Sequence, residues 1–241
     1  MSNKHTDIMK TLRNTTMIIA ILLTGLFSNQ LFANTVIGEL EKENPIQKKR
    51  EKLKQLRKFK RSINKKSNLA GFSYHQKMYV VNADISTVWE AYTQAKPTEV
   101  WKGPLNTFKN SYSQADDTLY DTNDSLIPSI ELGMVFELNL RVAKLMDVAV
   151  AFQITELDST NKLIEFTYGK DNKSHGRQRI VFIADGAQTI IAHYSNFKSS
   201  SKFRDKHLYP LFHERCMDEF HANMNKSILN EQVTELLSSL K

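Results

Sequence analysis

The residues of this chain that could carry chemistry are seven histidines, one cysteine and a set of aromatics spaced two apart. His193 stands beside Tyr194 in an alternating segment, so one of the two faces the core and the other faces away. If His193 is the inward one, it, Glu165 or Arg141 would supply an acid or base there, with Tyr168 nearby. His213 and His221 lie eight residues apart on a predicted helix. That is about 12 Å of rise, too far to share one metal ion unaided. The expectation for both is that of solvated helix polars. Cys216 is the single cysteine, which excludes an internal disulfide and paired-cysteine metal motifs. It is expected to be buried as a small hydrophobe. Arg177 and Arg179 share one strand face and would suit an anionic head group, although a charged outer face is the plainer reading. No nucleophile elbow, zinc-binding His-Glu-x-x-His, phosphate loop or dinucleotide fingerprint is present. No metal and no cofactor is predicted.

The elements that must position these residues follow from periodicity. Residues 74–82 alternate as a strand. Asp84 or Ser86 caps a helix over 85–95, with Val88, Trp89, Tyr92 and Ala95 on one face, and Pro97 ends it. Residues 97–131 are irregular, rich in Asn, Asp and Pro, and long enough to suggest a lid or binding loop in which a short element hides. Five strands follow, over 133–142, 147–157, 162–168, 175–184 and 188–197, the last two joined at Asp185-Gly186. A helix over 205–239 carries a stripe of Leu208, Leu211, Phe212, Cys216, Phe220, Met224 and Ile228. The fold class expected is α+β: a curved antiparallel sheet wrapped around a long C-terminal helix, with one face of the sheet polar.

Charge divides the chain. The net charge is +7. Residues 34–66 hold twelve Lys/Arg against four Glu, and residues 67–241 come out slightly acidic. The basic pI therefore belongs to an arm, which argues against a nucleic-acid binder, whose basic patch would sit on the domain. In the arm, Ile46, Leu53, Leu56, Phe59 or Lys60, and Ile63 form a narrow apolar stripe on a cationic helix opened by Pro45. Such a helix suits an anionic membrane surface through residues 39–66, an acidic partner, or packing of the stripe on the domain. Upstream, a cationic segment and the apolar run 16–27 predict a signal segment ending at Ala33, with an uncleaved anchor as the alternative. The predicted layout is a signal segment over 1–33, a basic arm or linker over 34–70 and a domain over 71–241, exported to a periplasm or secreted.

The stretch VVNADISTVWEAYT, residues 80–93, resembles the opening strand and helix of the START and birch-pollen-allergen helix-grip superfamily, which also includes polyketide cyclases. The stretch LIEFTYGKDNKSHGRQRIVF, residues 163–182, is similar to a bacterial branch of that superfamily with no known function. The counterparts are Phe166, Tyr168, Gly169, His175 and Gly176, while Arg177 and Arg179 stand where that branch carries acidic residues. The resemblance implies a cavity between sheet and C-terminal helix holding an apolar molecule. Its expected lining is Phe136, Phe152, Phe166 and Tyr168, together with Phe182, His193, Tyr194 and Phe220. The same side chains would equally fill a closed core. Three functions stay open: a carrier of a lipid-like apolar or amphiphilic molecule, a cyclase- or hydrolase-type enzyme, and an interaction protein acting through its basic arm. Oligomeric state is not encoded in any motif.

Overall fold

The computed structural model describes residues 44–142 and 146–239. The predicted signal segment and residues 34–43 of the arm lie outside them. From Lys49 onward the described residues form one compact unit. Helix α1 (Pro45–Arg57) starts with proline at its first turn, and the Asn44 side chain accepts the Ile46 N–H at 3.0 Å. Strand β1 (Ser73–Val81) leads into α2 (Ile85–Gln94), capped by Asp84, which accepts the Ser86 and Thr87 N–H groups. After a one-turn helix α3 (Pro97–Val100) come β2 (Asn106–Ser113) and β3 (Thr118–Asp121). Then follow β4 (Val135–Val142), β5 (Met146–Asp158), β6 (Leu163–Tyr168), β7 (Ser174–Asp185) and β8 (Gln188–Ser199). A π-turn (Arg204–Leu208) opens into α4 (Tyr209–Ser239), with Pro210 in its first turn, where proline is tolerated.

The eight strands form one antiparallel sheet in the order β1-β8-β7-β6-β5-β4-β2-β3. The five strands expected over 133–197 are β4–β8. The segment 97–131 is not one loop: it holds α3, β2 and β3, which polar residues such as Asn106, Asn110 and Asp121 conceal from a hydrophobic-period reading. Register shifts at Phe108/Asn110 and Ile154/Glu156 bend the sheet. Its inner face carries Phe136, Phe152, Phe166, Ile180 and Ile191, all buried with Phe220, Met224 and Ile228 of α4 in one core.

The outer face is covered as well. Leu56 of α1 is buried in a second cluster with Tyr112, Leu119 and Val135, and Leu53 and Phe59 pack against it. Charge fixes the docking. Lys49 pairs with Asp124 at 2.9 Å, Lys52 with Glu137 at 2.8 Å, and Arg57 with Asp117. Downstream, the Ser62 N–H donates to the Tyr168 carbonyl at 2.8 Å, and the Lys170 N–H to the Lys60 carbonyl at 2.7 Å. Gly169 is required at this crossing: a Cβ there would stand 2.8 Å from the Phe59 ring. Gly176, at φ +137°, leaves no room for a Cβ against the Asn196 carbonyl, and its N–H donates to Ser62 Oγ. The apolar stripe of the arm is thus turned to the sheet at Leu53, Leu56 and Phe59, while Ile46, at its start, is exposed. Lys58, Lys60 and Arg61 remain exposed.

Leu56→Ala is expected to cost about 2–4 kcal/mol in urea unfolding followed by circular dichroism, as for other buried leucines. Lys54→Ala, at an exposed position, is expected to stay within about 0.5 kcal/mol. Equal effects would show that the arm is not part of the cooperative unit.

Candidate functional site

Alternation along β6, β7 and β8 puts Tyr168, Gln178, His193 and Ser195 on the inner face, opposite α4. Each finds a polar partner, as buried polar groups must. The Tyr92 hydroxyl of α2 lies 2.7 Å from His221 Nδ1. His221 Nε2 lies 2.8 Å from His193 Nδ1, and His193 Nε2 lies 2.5 Å from Gln178 Oε1. The Gln178 amide nitrogen donates to the Tyr168 hydroxyl, which is 2.6 Å from the Tyr209 hydroxyl. Ser195 Oγ lies 3.3 Å beyond Tyr209. Five elements therefore contribute to one buried chain of hydrogen bonds.

The chain has a direction. The Gln178 carbonyl oxygen can only accept, so His193 Nε2 carries a proton. A neutral His193 then accepts at Nδ1, which makes His221 Nε2 the donor. His221 Nδ1 in turn accepts from Tyr92. On the other side of Gln178, Tyr168 receives the amide N–H, and either hydroxyl of the Tyr168–Tyr209 pair can donate to the other. From Tyr92 to Tyr168 every donor points the same way. Burial favours this neutral state. It pushes His221 down to about 3 and holds His193 well below the ordinary imidazole value, with the neighbouring histidine adding to the second effect. Burial also raises the Tyr168 hydroxyl to about 12.

Two further histidines complete the layer. His213 stacks on Tyr209 at 5.0 Å and meets His75 at 5.9 Å and His193 at 5.8 Å, edge to face. Both His213 ring nitrogens are buried without a hydrogen-bond partner. Beside them, Lys77 bridges Glu214 at 2.6 Å and Asp218 at 2.8 Å, and Tyr79 donates to Asp218 at 3.0 Å. Among the described residues no group of three or more His, Cys, Asp or Glu side chains is placed to hold a metal ion.

Next to the histidine layer lies a void of about 40 Å³. Its wall includes Phe136, Phe152, Phe166 and Phe220, four of the eight predicted lining residues, together with Trp101 and Ile130. Of the wall residues only Tyr92 carries a titratable group. Trp101 and Phe220 stack directly on each other at 4.1 Å in this wall. The predicted cavity is therefore nearly closed, since the void has room for only a few waters, at about 10–15 Å³ each.

The remaining predicted residues are placed differently. Tyr168 and His193 belong to the polar chain. Phe182 packs edge-on against Tyr92 at 4.9 Å and Trp89 at 5.6 Å, away from the void. Tyr194 is on the outer face beside Tyr74, at 6.3 Å, and lines nothing inside; the pleat that turns His193 inward turns it outward. Arg177 and Arg179 are on that outer face too, at 3.5 and 2.6 Å from Glu165, a buried carboxylate. Their anion is internal. Glu165, considered as a cavity acid, is thus held outside the core. Arg141 is exposed and pairs with Asp147. His213 and His221 are not solvated. Each lies four residues, about one turn, from the buried Met217, and the buried face of α4 takes them in alongside the predicted stripe. Cys216 is buried, and burial pushes its thiol up to about 12.

No family model matches the chain, and no curated protein is similar to it in sequence. Solved structures do match. Norcoclaurine synthase from Thalictrum flavum, in complex with dopamine and hydroxybenzaldehyde, is 12% identical with a TM-score of 0.50. The match covers 70% of this chain and 95% of that one. A point mutant of the same enzyme with a transition-state analogue also gives 12% and 0.50, over 67% and 96%. The protein Ara h 8.0201 is 10% identical with a TM-score of 0.48, over 66% and 99%. The chain has the helix-grip fold. At these identities the likeness speaks for the fold alone. In the helix-grip frame, the polar chain and the void share the space between sheet and terminal helix.

Nitrogen NMR of the imidazoles at pH 7.5 is expected to show both His193 and His221 protonated at Nε2 only. Gln178→Leu, which leaves His193 and Tyr168 without their shared partner, is expected to cost roughly 2–6 kcal/mol, about 1–3 per orphaned group. Ser195→Ala, at the weak end of the chain, should cost under about 1 kcal/mol. Equal costs in urea unfolding would show that the bonds are not linked in series.

Proposed function

We propose that this protein binds a compact apolar molecule, aromatic by preference, between the sheet and α4, beneath α3 and residues 127–130. The observation that carries this reading is the wall of the void. Its side chains are almost all aliphatic or aromatic, and its single titratable contributor, Tyr92, is the first member of the buried chain. A ligand there would meet stacked aromatics and one phenol already oriented by His221. Ligand sites usually measure about 300–1,000 Å³, so the void corresponds to a closed state. Opening it requires Trp101 and Ile130 to move aside. These belong to the segment 97–131, which the sequence marks as a lid. A lipid or a sterol needs the largest displacement, which is why a smaller ring compound is placed first. The helix-grip neighbour solved with dopamine and hydroxybenzaldehyde supports a preference of that kind. The enzyme reading has less behind it, because the wall offers one titratable group and no second to work with it.

The near-closed void also favours a second reading, a filled core with function on the surface. There the exposed Lys58, Lys60 and Arg61 would face an anionic partner or membrane, next to the exported N-terminus that the sequence predicts.

Titration of the purified full chain with a panel of aromatic compounds, followed by tryptophan fluorescence at pH 7.5, separates the two. Saturable one-to-one binding is expected, weakened at least tenfold by Ala95→Leu, which fills the void from α2. Absence of saturable binding, with native mass spectrometry showing no co-purified molecule, would overturn the first reading in favour of the second.

A further inference from the structure

Four of the chain's seven histidines lie in one layer between α4 and the β1–β8 edge of the sheet. The ring centroids run His75 to His213 at 5.9 Å, His213 to His193 at 5.8 Å, and His193 to His221 at 5.1 Å. Positive charge in such a layer is self-repelling, and the surroundings offer little to balance it. From β1 come Lys77 and Tyr79 as well as His75, from α2 comes Tyr92, and from β6 comes Tyr168. From α4 come Tyr209, Cys216, Glu214 and Asp218. The two carboxylates are already engaged by Lys77 and Tyr79. Asp205, in the π-turn, accepts the Ser199 N–H at 2.8 Å. His75 Nε2 stands 3.8 Å from Glu214 and would gain a carboxylate on protonation. His193, His213 and His221 have none within reach.

The hydrogen bonds add a second constraint. The chain from Tyr92 to Gln178 can take one extra proton by turning the Tyr92 hydroxyl round. A second would set two N–H groups against each other between His193 and His221. His213 has no acceptor for an N–H on either nitrogen.

We propose that this histidine layer is an acid-sensitive latch: proton uptake by His213 and the His193–His221 pair frees α4 from β1 and β8 and opens the inner face of the sheet. The sign follows from linkage. A histidine held below its ordinary value when closed binds protons more tightly once open, so stability of the closed form is complete above about pH 6.5 and falls as the pH drops. Each such histidine shifts the open-to-closed ratio by up to about tenfold per pH unit. The movement is local, because the opposite flank of α4 is tied by other groups. Glu219 accepts the Asn106 N–H at 2.7 Å, and Asn223 donates to the Val100 and Lys102 carbonyls at 3.0 and 2.8 Å. The latch does not depend on a ligand being bound.

The test is an acid titration of the full chain from pH 7.5 to 4.5, read by histidine Cε1 NMR and by near- and far-ultraviolet circular dichroism. The His193, His213 and His221 signals are expected to keep neutral-state positions until about pH 6, then move together as the near-ultraviolet signal falls and helix content persists. His213→Phe should lower the midpoint by at least about half a pH unit, and His175→Gln, at an exposed strand position, should leave it in place. If His213→Phe does not fold, joint movement of the three wild-type signals decides the question. The proposal is overturned by a near-ultraviolet signal that persists to pH 4.5, by one midpoint in both proteins, or by three histidines titrating singly with packing intact.

Discussion

A sheet bent around one helix has an inner face to fill and an outer face to cover, and in this chain both faces are buried at the same strand. β6 is the centre of that constraint. On its inner side Ile164, Phe166 and Tyr168 meet α4, and on its outer side Glu165 and Thr167 are only 2% and 3% exposed. A carboxylate so placed must be paired, since an isolated buried charge is far costlier than a paired one. Arg179 and Arg177 from the neighbouring strand provide that pairing. The arm supplies the cover. Its last turns cross the end of β6, where Phe59 lies on Gly169 and Ser62 binds Tyr168 and Gly176. The glycines of the Tyr-Gly and His-Gly pairs are therefore places where backbone or an aromatic ring must come close, whatever the ligand.

On the inner side the same fold handles polarity by a chain of bonds rather than by charge. Gln178 is the member that sets its direction, because an amide has an acceptor end and a donor end that cannot be interchanged without reversing every bond on both sides. Three tyrosines, two histidines, one amide and one serine are satisfied with no net charge. A buried hydrogen-bonded pair of histidines is tolerable only in that neutral form. This is why the layer coexists with a packed aromatic core a few ångströms away.

Much of this was legible in the sequence and some of it could not be. The alternation of 133–197 reads directly as β4–β8, because one face of each strand is apolar. β2 and β3 escape the same reading: Asn106, Ser111 and Ser113 are buried there although polar, Asn106 bonded to the Cys216 carbonyl and Ser113 to Glu131. Alternation shows that His193 and Tyr194 face opposite ways but not which faces in; only the pairing of β8 with β1 and β7 settles it. The stripe on α4 holds at Cys216, Phe220, Met224 and Ile228, all buried, while the polar type of His213 and His221 hides that the inward face includes them too. Leu211, counted as core, is 53% exposed. The arm's stripe was visible, but its destination was not. That depended on Asp117, Asp121, Asp124 and Glu137, carboxylates dispersed over two strands and a turn.

The division of α4 into two working halves follows from these placements. From Tyr209 to His221 the helix meets the sheet through polar rings, of which Tyr209 and His221 hydrogen-bond, and from Met224 to Ile228 through apolar side chains. Tyr92 stands where the two meet: its ring forms part of the wall of the void and its hydroxyl begins the polar chain. Any displacement of Tyr92 towards a molecule in the void would lengthen its bond to His221 and leave His221 Nδ1 without a donor. Conversely, a proton on His221 turns the Tyr92 hydroxyl into an acceptor and reverses the hydrogen-bonding role of the one titratable group in the wall. Contents of the apolar side and protonation of the polar side are therefore coupled through a single phenol, and each must alter the equilibrium of the other by the same factor.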